Sequence, residues 1–228
     1  MPQDMGRVFA LKNVRLLYKK GGALRFVSHL DMNRFMIRLL RLSGLPIWYT
    51  EGFNKHPYIT FALPLSLGFF GEWEAVDFRL TDYEFPLSKA KEMITAVCPS
   101  GMEVIDLVEP TYKAGKIVSA EFCIAFARDS GATLLSLKEF LEQKEILVSK
   151  KTKKGEITEF NVAEKILEIT LEEKNAQVFA NIKLPAGGSD NINPKIIINA
   201  YFEKIGSQNP FCSITRKMLY VADGNIFK

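Results

Sequence analysis

Strand, helix, strand, strand, helix, strand can be read twice along this 228-residue sequence. That order predicts an α+β protein of two tandem ferredoxin-like (βαββαβ) domains with antiparallel sheets. Three observations carry the prediction. Apolar residues alternate at period two in several short segments and recur at helical spacing in others. Gly and Pro punctuate the segments where helices must stop. The pattern begins again after a break at Pro110–Gly115, which sets an N-terminal domain at 1–115 and a C-terminal domain at 116–228. The two halves share no convincing identity, so the repeat is architectural.

The first domain opens with a strand, Val14–Lys19, a Gly21-Gly22 turn and further extended chain at Leu24–Val27. Ser28 is placed to cap a helix, with Asp31 three residues on, where a carboxylate complements the helix N-terminus. Gly44 ends that helix and Pro46 prevents its return. Short strands are expected at Ile47–Thr50 and Ile59–Leu63, and a longer one at Trp73–Leu80. Pro86 starts a second helix that Pro99 stops, and Met102–Val108 closes the domain. In the second domain, strands are expected at Ser119–Ala127 and Ile214–Val221, with a helix at Thr133–Gln143. Glu145–Lys150 and Ile157–Phe160 form an inserted hairpin around Lys153-Lys154-Gly155. A second hairpin, Lys165–Glu172 with Gln177–Leu184, turns at Lys174-Asn175. Asn193 caps the last helix, Pro194 occupies its first position, and Gly206 ends it.

Composition excludes several classes. The longest apolar stretch, Phe61–Phe70, is broken by Pro64, Ser66 and Gly68, whereas a spanning helix needs about 20 apolar residues. The N-terminus lacks a charged-then-apolar leader, so a cytoplasmic protein is expected. Cys98, Cys123 and Cys212 are scattered and form no CxxC pair, which predicts reduced thiols and no iron–sulfur motif. No P-loop or dinucleotide fingerprint is present, and no cofactor or metal is expected. The net charge of +4 averages +7 over residues 1–58, −5 over 59–115 and +2 over 116–228. The basic front end is where an anionic partner would bind.

Both histidines, His29 and His56, fall at that front end. The first cluster runs from Ser28 to Arg34. On a helix, Asp31, Arg34, Arg38 and Arg41 share one face, while Phe35, Met36, Leu39, Leu40 and Leu42 take the other. His29 projects with the apolar side at the first turn, where the positive end of the helix dipole disfavours imidazolium. The arginine stripe reads either as a solvated face or as a ridge for phosphates. The second cluster, Glu51–Pro57, is a loop in which Asn54, Lys55 and His56 offer donors and Phe53 and Tyr58 offer faces for stacking. Its competing reading is a compact loop in which Asn54 bonds its own backbone. Lys150, Lys151, Lys153 and Lys154 form a further basic tip, either solvated or an auxiliary contact to phosphates, and Gly187-Gly188 precedes the last helix as a flexible loop or as backbone amides that hold an anion.

LRFVSHLDMNR (Leu24–Arg34) and GFNKHPYITFALPLSLG (Gly52–Gly68) resemble the radical-SAM-linked proteins, a bacterial family of uncharacterised function encoded beside or fused to a radical S-adenosylmethionine protein. The matching residues are Ser28, His29, Leu30, Asp31 and Arg34, then Gly52, Phe53, Asn54, His56 and Pro57. Lys55 departs from the family's usual small or proline-type residue. The resemblance implies an accessory to a radical enzyme, with a radical SAM protein as partner, in an RNA setting. A looser similarity, at the level of the fold, is to the CRISPR repeat-processing endoribonucleases.

Three functions are thus expected to compete. The first is an RNA-binding accessory module acting with a radical SAM partner in RNA modification or ribosome-related metabolism. In it His29 and His56 orient a substrate group, while Asp31, Arg34, Arg38, Arg41, Asn54 and Lys55 bind substrate or phosphate. The second is a metal-independent endoribonuclease with His29 as general base. The third is a protein-interaction scaffold without chemistry.

Overall fold

Residues 12–20 (KNVRLLYKK) form the strand β1, Lys12–Lys20, whose middle from Val14 to Tyr18 is buried at every position. The computed structural model describes residues 10–151, 157–188 and 190–228, without the side chains of Lys150, Lys151 and Ile157. The expected turn at Lys153-Lys154-Gly155 and most of the lysine tip lie outside the described residues. The protein is α+β, with four α-helices among the described residues. The chain divides into two units: residues up to Ala114 with Lys228, and Gly115–Phe227.

In the first unit β1 is followed by α1 (His29–Leu42), β2 (Ile59–Phe61), β3 (Phe70–Leu80), α2 (Leu87–Ala96) and β4 (Met102–Val108). The strands lie in the order β4-β1-β3-β2, and each neighbouring pair is antiparallel. Val14, Leu16 and Tyr18 of β1, with Val76, Phe78 and Leu80 of β3, point to one face. There they meet Met32, Met36, Leu39 and Leu40 of α1 and Ala90 and Ile94 of α2. Both helices thus cover one face of the sheet. Met36 is wholly buried, and each such side chain contributes about 1.5–3 kcal/mol of transfer free energy.

Three local expectations are corrected here. Gly22–Phe26 is a 3-10 turn, not extended chain. Leu24 and Val27, three residues apart, both pack on the core while Phe26 stays exposed, a spacing that suits three residues per turn. Ile47–Thr50 makes only isolated bridges, Ile47 to Leu80 and Tyr49 to Pro57. Leu42, expected on the apolar side of α1, is 61% exposed: at about 100° per residue it falls on the polar side beside Arg38 and Asp31, whereas Leu39 and Leu40 of the same turn are buried.

The second unit runs β5 (Ile117–Phe126), α3 (Leu134–Leu141), β6 (Leu147–Lys151), β7 (Ile157–Asn161), β8 (Glu168–Lys174), β9 (Gln177–Pro185), α4 (Lys195–Lys204) and β10 (Cys212–Val221). Its sheet has the order β10-β5-β9-β8, again antiparallel throughout, and β6 and β7 pair as a separate ribbon. Phe122, Ile124 and Phe126 of β5 and Val178, Ala180, Ile182 and Leu184 of β9 are buried at alternate positions. Tyr201 of α4 packs against Phe126 and Phe140, and its hydroxyl lies 2.8 Å from Ser136 Oγ. Ser136 also completes a capping box with Thr133. Asn193 sits one residue before the cap position, which Pro194 fills; its Oδ1 accepts from the Lys195 amide at 3.0 Å.

Candidate functional site

The first cluster is organised by the start of α1. Ser28 has extended backbone, which turns its Oγ toward the open amides of the first turn. Oγ accepts from the Asp31 amide at 3.2 Å and donates to Asp31 Oδ2 at 2.7 Å. Arg34 Nη1 then donates to Asp31 Oδ1 at 3.0 Å. The Ser28 hydroxyl, followed by the Arg34 guanidinium, holds the Asp31 carboxyl below its usual range against some opposing desolvation. Asp31 is therefore an anion at neutral pH whose charge is already matched by Arg34.

His29, the first residue of the helix, is exposed and presents its ring edge-on to Phe61 of β2, with centroids 5.1 Å apart. Phe61 packs against the core, so the imidazole rests on a fixed aromatic wall at the sheet edge. Neither ring nitrogen has a hydrogen-bond partner among the described residues.

Arg34, Arg38 and Arg41 are all exposed on one side of α1, but their settings differ. Arg34 is paired with Asp31. Arg38 has no partner among the described residues. Arg41 reaches the second cluster: its Nη2 donates to the Lys55 carbonyl at 3.4 Å, and its guanidinium lies 5.9 Å from the Tyr49 ring. That contact brings the helix stripe and the loop together.

The loop itself is closed by a residue outside both motifs. Thr50 and His56 exchange contacts: the Thr50 amide donates to the His56 carbonyl at 2.9 Å, and the His56 amide donates to Thr50 Oγ1 at 3.3 Å. His56 Nδ1 lies 2.9 Å from the Asn54 carbonyl and 3.3 Å from Thr50 Oγ1. A carbonyl can only accept, so Nδ1 donates to it, and Nε2 has no hydrogen-bond partner among the described residues. Pro57 is buried beneath the loop, while residues 51–56 are exposed. Phe53 is fully exposed, and Lys55 extends its ammonium without a partner among the described residues. Asn54 enters the network through its carbonyl; its side-chain amide has no partner there.

The structure thus brings together Ser28, Asp31 and Arg34, then Arg41 with the Lys55 backbone, then Asn54 with His56. No hydrogen bond or ring contact joins His29 to His56. Sequence reasoning missed Thr50 and Phe61. Thr50 had a signal, a β-branched hydroxyl just before a Gly-containing loop; Phe61 had none, because its contact depends on where β2 docks. No group of three or more His, Cys, Asp or Glu side chains converges among the described residues. No helix there is long and apolar enough to cross a membrane. Gly187 has φ +82°, and a Cβ at that position would strike the Ile117 carbonyl, so its glycine answers to a close backbone approach.

A family model described as "Uncharacterized protein conserved in bacteria (DUF2344)" matches residues 13–194. No curated protein matches the chain. Among solved structures, a chain from a Cbf5-Nop10-Gar1 complex is 11% identical with a TM-score of 0.47. The match covers 91% of this chain and 48% of that one, so this chain spans about half its length. A protein proposed as a glycine cleavage system transcriptional repressor is 8% identical with a TM-score of 0.27, covering 90% of this chain and 96% of that one. Neither likeness assigns a function.

Proposed function

The chain belongs to the uncharacterised bacterial family DUF2344, and we propose that it is an RNA-binding accessory module acting with a radical S-adenosylmethionine partner. The observation that supports RNA binding is the Arg41–Lys55 contact. It sets the unpaired Arg38 and the ammonium of Lys55 beside a loop whose Phe53 ring is fully exposed. Cations that track a phosphate backbone next to an aromatic face for a base are the two parts of single-strand recognition. The exposed His56, whose Nε2 has no partner among the described residues, and the free Asn54 amide supply groups that read a base edge. The radical SAM partner rests on the two motifs alone. In the same reading the two units are tandem ferredoxin-like folds; the matching strand orders β4-β1-β3-β2 and β10-β5-β9-β8 support it.

The test is binding of single-stranded and structured RNA across a salt series. Affinity that falls steeply with salt, with a slope reduced by about two to three in Arg34→Gln/Arg38→Gln/Arg41→Gln, is expected. No binding at low salt, or an unchanged slope in the triple variant, would refute the reading.

A second reading is favoured by one observation, the unpartnered ring nitrogens of His29 on the exposed helix start. It makes the protein a metal-independent endoribonuclease with His29 as general base. RNA cleavage in EDTA that is lost in His29→Ala is its expected result. Cleavage equal to wild type in that variant rejects it.

A further inference from the structure

The first unit carries a second polar site on the sheet face turned away from its helices. The pleat puts it there. Val14, Leu16, Val76 and Phe78 point into the core. Asn13, Arg15, Asp77 and Arg79 between them therefore point the other way, with Thr60 of β2 beside them. The register sets Asn13 opposite Arg79, and Arg15 and Thr60 opposite Asp77. Residues 110–114 cross this face. Arg15 Nη2 donates to the Tyr112 carbonyl at 2.8 Å, and the Thr111 amide donates to the Lys228 carbonyl at 3.1 Å. Between the strands and this segment lies a cavity of about 520 Å³, lined by Asn13, Tyr58, Thr60, Arg79, Tyr112 and Lys113 among others. That volume is within the range of small-molecule sites.

The charges are arranged for an anion. Asp77 is the one acid in the lining, and Arg15 already holds both its oxygens, at 2.6 and 2.7 Å. Arg79 is fixed but not neutralised. Its Nε donates to Asn13 Oδ1 at 3.2 Å, and its guanidinium lies 4.9 Å from the Tyr58 ring and 5.4 Å from Trp48. These contacts hold the plane and leave Nη1 and Nη2, a fork suited to phosphate, with no partner among the described residues. Lys113 is likewise unpaired there and exposed. The Tyr58 and Tyr112 rings give flat apolar surface, and the Asn13 amide and Thr60 hydroxyl give neutral hydrogen-bonding groups.

We infer that this cavity binds a nucleoside monophosphate, with phosphate on the Arg79 fork and Lys113 and the base against the tyrosines. The nucleotide is either free or the 5′ end of a strand; both present the same chemistry. The inference stands apart from the arginine stripe of α1, so either can fail alone.

The experiment titrates the full chain with AMP, UMP, ribose 5-phosphate and a 5′-phosphorylated oligoribonucleotide. It follows tryptophan fluorescence, since Trp48 abuts Arg79, and thermal shift. Saturable binding of AMP or UMP is expected, weakened at least about tenfold in Arg79→Gln and less in Lys113→Ala. It should be unchanged in Arg34→Gln/Arg38→Gln/Arg41→Gln. Tighter binding of the oligomer than of AMP would identify a strand end as the source. Lys113→Ala, on an exposed segment, and Arg79→Lys serve where Arg79→Gln lowers the melting temperature. No saturation by any probe up to about 10 mM, undiminished binding in folded Arg79 and Lys113 variants, or ribose 5-phosphate binding as well as AMP would overturn the inference.

Discussion

Arg15 on β1 and Asp77 on β3 face each other across the register and are joined by two hydrogen bonds of 2.6 and 2.7 Å. The Arg15 side chain is wholly buried, while Asp77 keeps 24% of its surface. The pair closes a face of the sheet that a leucine pair would close at less desolvation cost. Removing one partner is a different matter, because the guanidinium stays buried without its carboxylate. Asp77→Ala should cost about 3–5 kcal/mol in urea unfolding, and the double variant Arg15→Met/Asp77→Leu should cost less than the single one. A single variant within about 0.5 kcal/mol of wild type would show that the pair is solvated in solution.

The Ser28 hydroxyl both caps α1 and depresses the Asp31 carboxyl. Ser28→Ala should lower stability by about 1 kcal/mol at neutral pH through the lost cap. It should also move the Asp31 titration up toward an ordinary aspartate. The sign follows from the lowered native value. Asp31 supports the fold at every pH above its unfolded value of about 3.9 and loses that support as pH falls through the native one. Wild type should therefore lose more stability than Ser28→Ala between neutral pH and pH ~3. An NMR titration of the Asp31 carboxyl checks the cause, and an unshifted Asp31 in the variant would refute it.

The β8–β9 hairpin turns through Asn175 and Ala176, with φ +51° and +57°. Two positive values at the centre of a two-residue loop mark the turn in which Asn-Gly is favoured. Alanine pays about 1 kcal/mol for that conformation, and glycine pays part of it back in unfolded-chain entropy. Ala176→Gly should raise stability by up to about 1 kcal/mol, read as a higher urea midpoint with an unchanged slope. A lower midpoint would mean that the loop does not hold this conformation.

Much of the element order is legible because capping and stopping residues act locally. Ser28, Gly44, Pro86 and Thr133 each mark a helix end that the structure has within a residue or two. Leu24–Val27 misleads because three-residue spacing and strand alternation look alike over four residues. The site is only half legible. The Ser28–Asp31–Arg34 network steps three residues at a time along one helix face, so its spacing reveals it. The meeting of Arg41 with Lys55, and of His29 with Phe61, depends on where a loop and an edge strand dock. The Arg79 cavity is invisible in sequence because its residues are gathered from four separate segments, three of them joined by cross-strand register.

Cys212, at the start of β10, has its thiol pushed by burial up to about 11, with the Lys195 ammonium opposing the shift. At pH 8 roughly a thousandth of it is thiolate, and only thiolate is alkylated. Iodoacetamide should therefore label Cys212 far more slowly in the native protein than in urea, resolved by peptide mass spectrometry. The raised value also sets a stability slope. Between the ordinary thiol value of 9.0 and about 11, the unfolded chain releases a proton that the native one keeps, so stability falls as pH rises through that window. Tyr220 adds to the same fall from its ordinary 10.0 toward about 12, since burial and its hydrogen bond to Glu121 keep the phenol protonated. Cys212→Ala should remove the earlier part of the alkaline slope and leave the Tyr220 part. Native labelling as fast as in urea, or an unaltered slope in the variant, would mean that Cys212 is open to solvent.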